Sequence, residues 1–211
     1  NMVDDSMFTA LLNKSNVRQD PSRWDWDTIY EILAGPISTP QRLQIAHKTK
    51  FLKNLLGFFM PSKRLFPDLH WHPSNFVKAR VGSILISLLL SQDEGVQLLT
   101  QTFSESFFVS RRSYMGELAD AIDEEISVLE SGRSSVGRLF TPEMMRGHMA
   151  REYFKWIGQF TMFRNGRKLM KNFGIDTKVM KLAPIEHLSP ILMSNLDYKE
   201  ESSRIFLSYA M

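Results

Sequence analysis

Apolar positions return along this chain at helical spacing, and proline and glycine mark the breaks between them. The pattern is clearest between residues 24 and 69. Trp26, Ile29, Ile32 and Leu33 fall at i, i+3, i+6 and i+7, one face of a helix that Gly35-Pro36 ends. Thr39-Pro40 then supplies a capping hydroxyl followed by a proline, whose missing N–H is harmless in a first turn. From there the spacing predicts one long helix to Met60. Ile45, Leu52, Leu55, Leu56 and Phe59 form its stripe, Arg42, Lys48, Lys50 and Lys53 its polar face, and Pro61 stops it.

The rest of the chain repeats this alternation of rod and break. Residues 74–91 carry Val77, Val81, Ile84, Leu85 and Leu88 on one face and Phe76, Ile86, Leu89 and Leu90 elsewhere, which predicts burial between several neighbours. A shorter helix is expected over 96–103. Met115, Leu118, Ala119, Ile122, Ile126 and Leu129 make a clean stripe, with Gly132 placed for a left-handed C-terminal cap. Thr141-Pro142 starts a helix through Met145, Met149, Tyr153, Trp156 and Phe160, interrupted at Asn165-Gly166. Short helices follow over 168–173 and 177–182, from Ser189, and over 202–211. No run alternates as a half-buried strand does, so the fold class is read as all-α. An armadillo- or HEAT-like repeat stack suits rods that bury their faces on their neighbours, with a closed helical bundle as the alternative. The expected organisation is a polar leading segment over 1–23 with one helical turn near 7–12, a first helical-repeat part over 24–130, a flexible linker over 131–138 (SGRSSVGR), and a second part over 139–211. The apolar run IFLSYAM leads us to expect that the stack continues past Met211.

Composition narrows the function classes. A chain of 211 residues with 43% apolar content can bury a continuous core. With no cysteine, a disulfide framework, a thiolate nucleophile and thiolate metal sites are excluded, and a cytoplasmic location is expected, peripheral to a membrane at most. The net charge is +3 and the bases are spread along the sequence, so nucleic acid is not an expected partner. Residues 76–90 fall about five short of a bilayer span and include Lys78 and Arg80, which reads as a core helix.

Candidate chemistry is sparse. Opposite the stripe of the 115–130 helix lie Glu117, Asp120, Asp123, Glu124, Glu125 and Glu130, with no base among them. Carboxylates on one helix diverge, whereas a hard cation needs oxygens that converge from a loop. This face is therefore read as solvated, with docking of a basic segment as the functional alternative; Glu117, Asp120, Asp123, Glu124 and Glu125 are its candidate protein-binding residues. His70-Trp71-His72 lacks a third ligand and reads as a loop with a packed tryptophan. Arg111-Arg112-Ser113 has the look of a basic-directed kinase site. His148 and His187 have no nucleophile or orienting carboxylate arranged beside them. No catalytic residue, cofactor or metal site is expected.

One family likeness emerges from the apolar motifs. Trp26-Asp27-Thr28-Ile29 with Ile32-Leu33, then Phe51-Leu52, Leu55-Leu56, Phe59-Met60-Pro61-Ser62, Leu65-Phe66 and Leu69, resemble the N-terminal region of the Rictor/Pianissimo family. The likeness resumes over 97–100, at Tyr153-Phe154, Ile157-Gly158, Gly166 and Lys168, and at Ser194-Asn195-Leu196-Asp197-Tyr198; residues 103–138 depart from it. The resemblance implies a non-catalytic armadillo-like scaffold, the defining subunit of TOR complex 2, which holds TOR kinase with a Sin-type subunit for signalling to AGC-family kinases. It carries over no binding residue. From the residues alone, the alternative is an adaptor that holds a basic peptide on the acidic helix.

Overall fold

The computed structural model describes residues 4–195 apart from 103, 106–107, 110–111 and 135, and the fold is all-α. The helix expected over 202–211 and the last part of the Ser194–Tyr198 motif lie outside the described residues.

The leading segment holds more than a single turn. Asp4 caps helix α1 (Asp5–Lys14), and the fully buried Phe8 anchors it. Helix α2 (Trp26–Ala34) follows the expected spacing, with the Asp25 carboxylate accepting from Thr28 N–H at 3.0 Å. The long helix expected next is two: α3 (Pro40–Lys48) and α4 (Phe51–Phe58), broken at Lys50, whose φ is 60°. The reason lies in the phase of the apolar positions. Continued as a straight helix, the face of Leu43 and Ala46 would meet Lys50 and Lys53 one heptad on. The break resets the phase, so that Leu43 and Ala46 are buried on one side of it and Phe51, Leu52, Leu55 and Leu56 on the other.

Helix α5 (Phe76–Leu90), apolar on several sides, packs between α2, α6 (Asp93–Thr100) and α9 (Glu152–Met162). Helix α7 (Tyr114–Ser131) ends at Gly132, which takes the left-handed conformation with φ 66°. A two-residue antiparallel pair, Ser104–Glu105 with Phe108–Val109, precedes it. Segments this short leave no alternation to read in the sequence.

The single helix expected after Thr141 is also two, α8 (Pro142–Gly147) and α9. At the break the backbone leaves the helical ladder to pair with an earlier loop: Trp71 N–H donates to Gly147 O at 2.8 Å and Met149 N–H to Leu69 O at 2.8 Å. Asn165-Gly166 does not interrupt a helix; it lies within α10 (Arg164–Asn172), and the break falls at Phe163 instead. There Asn165 donates to Leu90 O at 3.1 Å, and a Cβ on Gly166 would lie 2.1 Å from Phe160 O. Helices α11 (Ile175–Leu182) and α12 (Ser189–Asn195) complete the described chain.

Contacts join α1, α2, α5, α9 and α12 in one row, while α6 meets α7 and α10 meets α11, which lies on α7. One continuous core runs from Phe8 to Leu192. Its centre is aromatic. Phe66 stacks on Trp156 at 5.1 Å, Phe59 meets Trp156 edge-on at 5.4 Å, and the Tyr153 hydroxyl donates to Phe59 O at 2.6 Å. Phe59 at the C-terminal cap of α4, Phe66 on the loop after it, and Tyr153 and Trp156 on α9 thus share one desolvated cluster.

Candidate functional site: the groove beside the acidic helix

Ser113 starts α7, its hydroxyl accepting from Gly116 N–H at 3.1 Å. With that side chain engaged and only 6% of the residue exposed, Ser113 is closed to the kinase that the Arg-Arg-Ser triplet suggested. Of the expected stripe, Met115, Leu118, Ala119, Ile122 and Ile126 are buried, which turns the carboxylates outward and to the flanks, while Leu129 in the last turn is 50% exposed.

Two of the five candidate residues are not on the solvated surface. Glu117 is 6% exposed and accepts from Ser62 through both its backbone N–H, at 3.0 Å, and its hydroxyl, at 2.8 Å. Glu125 is 1% exposed and holds Arg138 in a two-pronged grip, Nε to Oε1 at 3.0 Å and Nη2 to Oε2. That grip raises the Arg138 guanidinium above its ordinary pKa. Asp123 takes Lys178 of α11 at 2.6 Å, and Asp120 takes Arg112. Glu124, half-buried, borders the same groove.

The bases absent from the helix are therefore supplied by other elements. Sequence reasoning missed Ser62, Arg112, Arg138 and Lys178. Two of them lie 55 residues from their partners, a separation that no local spacing rule reports. An open groove of about 990 Å³ runs along this face, bounded by Pro61, Ser62, Arg64, Ala121, Ser127 and Leu139 as well as the acids. The arrangement can hold charged side chains by exchange of ion pairs. Among the described residues no three His, Asp or Glu side chains come together as a metal would require.

A second polar seam lies where residues 67–71 meet 147–150. The His70 and His148 rings face each other at 5.0 Å, and Trp71 packs between Phe76, at 5.0 Å, and the Arg151 guanidinium, at 4.3 Å. The His-Trp-His stretch is a loop as expected, but its tryptophan is 37% exposed rather than packed into the core, and His148 is the neighbour the sequence did not reveal.

Residues 131–211 match the family described as rapamycin-insensitive companion of mTOR, middle domain. Protein pianissimo A of Dictyostelium discoideum is 27% identical over 93% of this chain and 18% of its own length. Target of rapamycin complex 2 subunit ste20 of Schizosaccharomyces pombe is 26% identical over 99% of this chain and 16% of its own. The human rapamycin-insensitive companion of mTOR is 23% identical over 94% and 11%. The chain is thus similar to Rictor/Pianissimo proteins along almost its whole length, and the matched part is assigned to their middle domain rather than to the N-terminal region that the sequence suggested. The chain spans less than a fifth of the length of these relatives.

Most apolar residues of the motifs that carried the Rictor likeness are packing positions in this fold. Trp26, Phe59, Phe66 and Tyr153 belong to or flank the aromatic centre, and Gly158 is needed because a Cβ there would lie 1.8 Å from Asn195 O. Pro61 and Ser62 of these motifs line the acidic groove, whereas its acids lie within 103–138, where the likeness fails.

Proposed function

We propose that this chain is a helical scaffold segment of a TOR complex 2 subunit, doing no chemistry itself and helping to organise TOR kinase and a Sin-type subunit for signalling to AGC-family kinases. The observation that carries the reading is the similarity, along almost the whole chain, to proteins named as subunits of that complex. The fold supports it: a row of helices with a continuous core offers extended surfaces, and Asp123 and Glu125 of α7 are engaged in ion pairs with other elements.

The test is recovery of the full-length protein from cells through an affinity tag, with TOR kinase and the Sin-type subunit probed in the eluate. Both should co-purify, in a preparation whose kinase activity disappears when the kinase alone is inactivated. Recovery of neither would overturn the proposal.

A second reading, prompted by the groove on α7, is a dock for a basic peptide. Its cations would have to compete with Arg112 and Lys178 for Asp120 and Asp123. Reversing Asp120, Asp123 and Glu124 to lysine should abolish such binding, and unchanged affinity would remove the idea.

A further inference from the structure

Although the bases are scattered along the sequence, one helix gathers them. Arg164, Lys168 and Lys171 sit at i, i+4 and i+7 on α10, a single line about 10 Å long. All three are exposed, and among the described residues none makes an ion pair. No acid lies on α10, and Lys181 is exposed on the adjoining α11. The opposite side of α10, with Gly166, Leu169 and Met170, is buried, so the helix is fixed in place and its cationic edge stands at one height. Two residues ahead of Arg164, Met162 is 68% exposed, an apolar side chain at the end of the cationic line.

We propose that the exposed face of α10 rests on an anionic lipid bilayer. Three cations in a row on a convex helix, with an apolar tip beside them, suit a flat negatively charged surface. A protein partner would be expected to find a desolvated aromatic or apolar centre here, and the face offers none. Single-stranded nucleic acid would need exposed rings to stack on, whereas Phe163 and Phe173 are packed against the core. No single described helix is long and apolar enough to cross a membrane. The inference stands independently of the TOR complex reading and gives residues to the peripheral location expected from the sequence.

The test is sedimentation of the purified chain with vesicles of phosphatidylcholine alone or with 30% phosphatidylserine, at about 0.1 M salt. The parent should partition onto the anionic vesicles only. Each basic side chain near such a surface is worth about a factor of five, so Arg164→Glu/Lys168→Glu/Lys171→Glu should lower partitioning at least about a hundredfold. A control with the same change of net charge on a different face, Lys14→Glu/Arg18→Glu/Lys48→Glu, should lose no more than about fivefold, and circular dichroism should find all three proteins equally helical. Equal loss in both variants, or no binding by the parent, overturns the proposal. So does retention on poly-glutamate through the same three cations without any vesicle binding, which would make the face a dock for acidic protein.

Discussion

Removing the Glu125 carboxylate should unfold this protein far more readily than removing any exposed acid of the same helix. Glu125→Ala leaves the Arg138 guanidinium, its side chain 13% exposed, without the carboxylate that it grips through two nitrogens. Stranding one member of a buried pair costs about 3–5 kcal/mol, a large part of the roughly 5–15 kcal/mol that a folded domain has in all. For a chain of this size that corresponds to a fall in Tm of about 6–20 °C. Glu130 is exposed at the last turn of α7, and Glu130→Ala should stay within about 0.5 kcal/mol of the parent. Removing both charges together, as Glu125→Leu/Arg138→Met, should recover most of the loss, because two apolar side chains carry no desolvation penalty. Urea titrations followed by circular dichroism at pH 7 measure all four proteins. If Glu125→Ala is no more destabilising than Glu130→Ala, the pair is a surface contact and the tie between 131–138 and α7 is not there.

Two further perturbations probe the α9 layer. Gly158→Ala places a methyl group against Asn195 O, which should push α12 off α9, lower stability by about 1–3 kcal/mol and speed amide exchange in α12 before any other helix; exchange at the parent's rate would refute the contact. Glu152 is 7% exposed and one of its oxygens has no partner, so burial raises its pKa above the ordinary 4.5. The folded state therefore holds the proton more tightly than the unfolded one. The stabilisation is full below about pH 4.5 and is lost as pH rises through the folded value. Glu152→Gln should remove that slope, matching the parent at pH 4 and exceeding it at pH 7 in urea titrations, and parallel curves for the two proteins would disprove it.

What could be read in advance followed from local rules. The three-sided apolar pattern of α5 reported its central place, and the stripe and Gly132 of α7 reported both its buried face and its end. What could not be read depended on partners distant in sequence. The breaks at Lys50 and at Gly147-His148 exist because Leu43 and Phe51 must face one core and because residues 69–71 pair with 147–149. The acids of α7 were legible as residues, but their environment was not. Periodicity leaves Glu125 on the flank of the stripe and Glu117 on the side opposite it, and only Ser62 and Arg138 decide that both are covered.

The bridge between 67–71 and 147–150 also bears on how this segment would respond to load. A stack whose units touch only their neighbours peels apart one unit at a time when pulled from its ends. Here a cross-tie fastens backbone on either side of α5, α6 and α7, so tension along the chain reaches those helices only after the tie is sheared. The segment should yield as a single mechanical block rather than as a spring.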